Sequence, residues 1–161
     1  MLMKMIADLH IHSRFSMATS KEGTPENLDF WARKKGISLI GTGDFTHPVW
    51  REELKERLVS EGNGLYRLRD EYVKEESRKF PGEGTHFVVS GEISSIYKKN
   101  GKTRKIHNVI LLPSLEAADA MAQRLEKIGN IHSDGRPILG LDSHDLLEMM
   151  LDVCPEGILI P

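Results

Sequence analysis

Ala7-Asp8-Leu9-His10-Ile11-His12-Ser13 is the stretch on which the reading of this chain turns. The residues before it, Met3 to Ala7, are mostly apolar and read as a short buried strand. Alternate residues of a strand point to the same face. Asp8, His10 and His12 are therefore expected on one face at the strand's end, with the two imidazoles close enough to grip one metal ion. Two imidazoles favour zinc, manganese or iron over calcium or magnesium. Asp8 suits an acceptor that orients an imidazole better than a ligand. The plain alternative is a pair of surface histidines on an edge strand.

Outward from this run, strand and helix patterns alternate. Thr24-Pro25-Glu26 supplies an N-cap, a proline at the first helical position and an acid in the first turn. Leu28, Trp31 and Ala32 give that helix its apolar face, and Gly36 its stop. A second short strand is expected over 37–41, a helix over 48–59 stopping near Gly62 or Gly64, and a charged segment of helical spacing over 65–80. A third strand covers 87–92. Segments 94–97 and 103–112 flank Lys99-Asn100-Gly101-Lys102, and Asn-Gly is a strong hairpin signal. Ser114 caps a helix over 115–128 closed by Gly129, and Asp142 or Ser143 caps a last helix ending near Val153. The order predicts one α/β domain over 1–161, with a mostly parallel sheet and one inserted hairpin.

The composition bounds the class. A chain of 161 residues, 39% hydrophobic and 29% charged, is long and apolar enough to bury a core. A formal net charge of -2 excludes a global basic field, though not a local basic patch. The one cysteine, Cys154, excludes a disulfide within the chain and reads as a small core residue. No apolar run is long enough to span a bilayer, and the start lacks the layout of a signal peptide, so a reducing cytoplasm is expected. Residues 157–161 read as a buried strand entering a loop, the pattern of an N-terminal piece of a longer polypeptide.

In sheets of this kind the functional loops lie at the C-terminal ends of the strands. That places four polar clusters together: His10 with His12, the string Gly41-Thr42-Gly43-Asp44-Phe45-Thr46-His47-Pro48, Gly91-Glu92, and His107. Histidines and carboxylates converging on one rim are the layout of a multi-metal hydrolytic site.

Asp8-Leu9-His10-Ile11-His12-Ser13 resembles the first motif of the polymerase-and-histidinol-phosphatase (PHP) superfamily of metal-dependent phosphoesterases. Gly41-Thr42-Gly43-Asp44 resembles its second motif, Gly91-Glu92 its metal-bridging acid, and His107 a later histidine ligand. The longer strings, 7–16 and 43–48, are most similar to the endonuclease Q subgroup. The resemblance implies a distorted (β/α)7 barrel, here apparently truncated at the C-terminus. It also implies up to three divalent metals, zinc or manganese and otherwise iron or magnesium, and nicking of DNA on the 5′ side of deaminated bases such as uracil and hypoxanthine. His10 and His12 would hold one metal, Glu92 would bridge to a second, and His107 would hold the second or a third. Asp44 would bind weakly or orient an imidazole, and His47 is carried over by proximity rather than by register. Met17 stands where many members have an acidic or histidine ligand. The later histidine motif and the terminal Asp-x-His motif have no match. Ser133-Asp134 and Asp142-Ser143-His144 only mimic the latter, and the second of these reads as a helix cap.

Each candidate has a plain rival. Glu92 also fits a solvated turn acid, His107 a paired strand residue, and Asp44 and His47 loop residues capping a helix. His86 and His132 read as surface residues, and Met149 and Met150 as core. Lys98, Lys99, Lys102, Arg104 and Lys105 crowd the hairpin tip. Such a cluster suits contact with a nucleic-acid backbone, with Lys99, Lys102 and Arg104 as the candidates, or else a solvated ribbon that discourages edge pairing. Three functions compete: a metal-dependent nuclease acting on DNA, a small-molecule phosphomonoesterase of the same superfamily, and a non-catalytic docking module. An incomplete barrel would also leave sheet edges open, which predicts a homo-oligomer, and a chain that carries only part of the active site is expected to retain metal weakly and to turn over little.

Overall fold

A computed structural model describes residues 5–161. Met3 and Lys4, part of the expected first strand, lie outside the described residues. The described part of that strand is β1 (Ala7–Asp8), exposed rather than buried, with Met5 and Ile6 before it exposed as well, and it pairs in parallel with β2 (Leu39–Gly41). Between them runs α1 (Pro25–Lys35), capped as its sequence dictates. The Thr24 hydroxyl accepts from the Asn27 N–H, Pro25 opens the helix, and Gly36 closes it at φ 72°, where a Cβ would be strained.

After β2 come α2 (Pro48–Arg57), β3 (Leu58–Gly62) and β4 (Leu65–Leu68), then two short 3-10 turns, Asp70–Tyr72 and Ser77–Lys79. The longest strand is β5 (His86–Lys99), which turns at Asn100-Gly101 into β6 (Lys102–Leu112). Then follow α3 (Leu115–Glu126), β7 (Ile138–Leu139), α4 (Ser143–Val153) and β8 (Ile158–Ile160). Among the described residues eight strands form one curled sheet. β5 organises it, taking β2 and β4 along its first half and β6 and β7 along its second.

The core lies between this sheet and the helices. Phe45, Trp50, Leu54, Phe87, Ile93 and Ile110 are fully buried within it. α3 contributes Leu115, Ala118, Ala122 and Leu125, which repeat at helical spacing on one face. Met150 and Cys154 join the core as expected. Among the described residues no helix is long and apolar enough to cross a membrane.

Three expectations need correction. The sheet is mixed, not mostly parallel: β1–β2, β2–β5 and β5–β7 are parallel, while β3–β4, β4–β5, β5–β6 and β6–β8 are antiparallel. Helical character also stops at Arg57, and 58–68 forms a hairpin instead of more helix. Its turn is Asn63-Gly64, at φ 51° and 79°, the left-handed pair that suits two-residue hairpins. The alternation of β4 is visible in burial, with Tyr66 and Leu68 inside and Arg67 outside. Finally β8 is a strand, but an outer one bonded to β6, with Ile158 and Ile160 exposed rather than buried.

Candidate metal centre

β1 ends at Asp8, so His10 and His12 follow it in a segment outside any strand, not on the strand as expected. The two rings meet edge-on, with centroids 5.6 Å apart. His10 Nε2 lies 2.7 Å and His12 Nε2 3.2 Å from the same atom, Oε2 of Glu92. Glu92 sits on β5 and is only 3% exposed. The residue before it must be glycine, because a Cβ on Gly91 would lie 2.6 Å from the Phe45 ring. Its other oxygen, Oε1, is hydrogen-bonded to Nδ1 of His107, which the β5–β6 register places opposite Ser94 and hence on the same face of the hairpin. Arg136 Nη1 stands 4.0 Å from that Oε1. Glu92 thus turns one oxygen to His10 and His12 and the other to His107.

Asp44 supports this cluster from below. It is fully buried at φ 50°, directly after Gly43 at φ 65°. Two left-handed residues in succession reverse the chain, and a Cβ on Gly43 would lie 2.6 Å from the Ile11 carbonyl oxygen. The turn aims the Asp44 carboxylate into the 13–16 loop. Oδ2 accepts from the Ser13 N–H (2.7 Å), the Ser13 hydroxyl (2.6 Å) and the Ser16 hydroxyl (2.9 Å). Oδ1 accepts from His12 Nδ1 at 3.0 Å. The loop is held by Trp50, whose indole N–H donates to the Gly43 carbonyl at 2.9 Å.

Burial raises the Glu92 carboxyl, but the hydrogen bonds from His10 and His107 outweigh it, and its pKa falls below the ordinary value. The His12 pKa is raised, first by its hydrogen bond to Asp44 and against the opposing effect of burial. Burial lowers the His47 pKa, and its Nδ1 accepts the Trp50 N–H at 3.4 Å while its ring stacks on Phe15.

The candidates from sequence therefore separate. His10, His12 and Glu92 offer ligand atoms within 4.8 Å of one another, His107 reaches the far side of Glu92, and Asp44 orients His12. His47 caps α2 and stands apart from the ligand group. Asp8 is exposed, and the orienting role first given to it belongs to Asp44. Asp142 caps α4, and Lys99 is ion-paired to it at 2.5 Å. His86 and His132 hydrogen-bond to Glu61 and Glu126, away from the ligand group. His144, Asp145 and Glu148 form a second possible ligand group, fully exposed on α4.

Sequence reading missed the 134–136 segment. Ser133-Asp134 looked like a mere mimic, yet Gly135 packs against Asp44 so closely that a Cβ there would lie 2.3 Å from Oδ2. Asp134 accepts the Met17 N–H at 3.3 Å, and Gly135 N–H donates to the Phe15 carbonyl at 3.0 Å. The glycine in Asp134-Gly135-Arg136 was the available signal.

The donor set fits a divalent cation on one internal ground. With Nδ1–H of His12 given to Asp44, a neutral ring turns a lone pair on Nε2 toward a carboxylate oxygen 3.2 Å away. Two acceptors so placed need a proton or a cation between them. The His-Nε2 and carboxylate donors are those of zinc and manganese sites, and the Asp44–His12 contact is the outer support that such ligands carry.

The curled α/β sheet thus gathers His10, His12, His107 and the buried Glu92 in one cluster. The chain is 27% identical to the lesion-specific endonuclease PfuEndoQ from Pyrococcus furiosus, with a TM-score of 0.74 over 95% of this chain and 33% of that one. An endonuclease Q in complex with a 27-mer duplex substrate with an abasic lesion at the active site matches at 26% identity and a TM-score of 0.71, with the same coverage. An uncharacterized protein of Methanocaldococcus jannaschii is 34% identical over 147 residues, 91% of this chain but 15% of that protein. No protein-family profile matches. The chain thus spans about a third of the solved endonucleases and a smaller part of the curated relative.

Proposed function

We propose that this chain carries the metal-binding core of a DNA repair endonuclease that hydrolyses phosphodiester bonds 5′ to deaminated bases. The observation that carries the reading is Glu92, a buried carboxylate presenting one oxygen to His10 and His12 and the other to His107. That is the arrangement of an acid shared between two metal positions. The likeness to lesion-specific endonucleases supports the substrate class.

His10, His12 and Glu92 would hold one divalent ion, zinc or manganese, and Glu92 with His107 a second. Such a pair supplies polarisation of a phosphoryl oxygen and water of lowered pKa. The residues do the rest. Asp44 fixes the ring of His12 with Nε2 facing inward. Glu92, nine-tenths and more buried, keeps its charge through the hydrogen bonds from His10 and His107. Arg136, at the rim, meets the negative charge that a phosphodiester brings in.

The test is cleavage of duplex oligonucleotides carrying one uracil, hypoxanthine or abasic site, with manganese or zinc added. A lesion-dependent nick on the 5′ side is expected. Hydrolysis of p-nitrophenyl phosphate with no cleavage of any duplex would replace this reading with a phosphomonoesterase.

A further inference from the structure

The two faces of the β5–β6 ribbon differ in what they meet. Residues paired across an antiparallel ladder share a face. The pairs Glu92–Val109 and Ser94–His107 lie on the face of the metal cluster, and stepping outward in twos the same face carries Ile96–Lys105 and Lys98–Thr103. The other face carries Ile93–Asn108, Ser95–Ile106, Tyr97–Arg104 and Lys99–Lys102. Contacts agree with that division. Asn108 Nδ2 donates to Ser143 Oγ at 3.1 Å and Lys99 Nζ to Asp142 Oδ2 at 2.5 Å, both at the start of α4. The trio singled out from sequence, Lys99, Lys102 and Arg104, therefore looks toward the helix and away from the cluster.

Lys105 stands two residues from His107, about 7 Å along the strand, and Lys98 six residues from Glu92, about 20 Å. Both are exposed, and the pairs that carry them contribute only Ile96 and Thr103 besides, so neither pair brings an acid to this face. At the cluster end stands Arg136, 4.0 Å from Glu92. Its backbone is pinned on both sides, by Arg136 N–H to Asp134 Oδ1 at 2.9 Å and by Ser94 N–H to the Pro137 carbonyl at 3.0 Å.

We propose that Arg136, Lys105 and Lys98 form a track for the sugar-phosphate backbone of a nucleic-acid strand leaving the metal cluster, and that Lys102 and Arg104 lie off it. The proposal rests on the nuclease reading and names its binding surface. One strand of duplex DNA advances about 3.4 Å per phosphate, so about 20 Å of ribbon spans about six phosphates. The contacts are to phosphate and carry no base specificity.

Fluorescence anisotropy of a labelled duplex, titrated with the metal-loaded chain between about 50 and 200 mM salt, tests this. Each lost phosphate contact reduces the steepness of log affinity against log salt by about 0.9. K98A/K105A is expected to reduce it by about two and R136Q by about one, with K102A/R104A unchanged. Equal effects of the two double variants, or an effect confined to K102A/R104A, overturn the track. A wild-type chain that takes up metal and cleaves bis(p-nitrophenyl) phosphate, yet binds DNA without salt dependence, overturns the track alone. A chain that takes up no metal overturns the track and the nuclease reading together.

Discussion

The carboxylate of Asp44 lies 3.0 Å from Nδ1 of His12 and so turns the opposite ring nitrogen toward Glu92. The same contact is the largest cause raising the His12 pKa above 6.5. In the metal-free fold that proton stabilises the protein below pH 6.5, and the gain is lost as pH rises through the raised value. A metal needs the neutral ring, so metal affinity should fall as pH drops through that value. Asp44→Asn should move the fall to lower pH and cut the high-pH affinity by about 10–100-fold. Competition with a chromogenic chelator across pH reads both; an unmoved midpoint would show that Asp44 does not set the protonation of His12.

Gly135 should tolerate no side chain. An added Cβ would sit 2.3 Å from Asp44 Oδ2, which is itself held by Ser13 and Ser16 and cannot retreat. Gly135→Ala is expected to cost about 1–3 kcal/mol of stability by overpacking and to weaken metal binding through His12. Urea unfolding of the metal-free protein and a metal titration check the two effects separately; a fully stable variant with normal metal affinity would remove Gly135 from the support of the site.

Arg33 holds a buried charge in place. Asp29 is fully buried on α1 and accepts both its contacts from Arg33 Nε, at 2.9 and 2.8 Å. Arg33→Ala leaves that carboxylate without its cation and should destabilise by about 3–5 kcal/mol near neutral pH. Burial raises the Asp29 pKa above 3.8. A raised carboxyl favours the fold when protonated and disfavours it as pH rises through the folded value. The R33A deficit should therefore shrink on acidification, and a deficit constant with pH would assign the loss to packing alone.

How much of this could be read from the sequence depended on whether a feature was local. Thr24-Pro25 and Gly36 bound α1 through contacts within a few residues, and Asn100-Gly101 turns β5 into β6. The motif strings singled out His10, His12, Glu92 and His107, but the rule about strand ends does not place them: the strand expected to stop at 92 runs on to Lys99, so Glu92 lies inside β5 and His107 inside β6. Residues 58–68 were missed because Leu65 and Leu68 fit helical spacing and strand alternation about equally, and the left-handed turn at Asn63-Gly64 decides between them. The mixed sheet was hidden because direction of pairing is a property of partners distant in sequence. The face carrying each lysine was hidden for a similar reason. It depends on the register of Glu92 with Val109, which composition does not encode.

The most direct test of the account is the metal content of the purified chain after dialysis against trace metal, measured by elemental analysis. Wild type should hold more zinc or manganese per chain than H10A/H12A or E92Q, and H144A, which removes the exposed histidine of the second possible group, should match wild type. Retention by H10A/H12A equal to that of wild type would contradict a metal centre built on His10, His12 and Glu92.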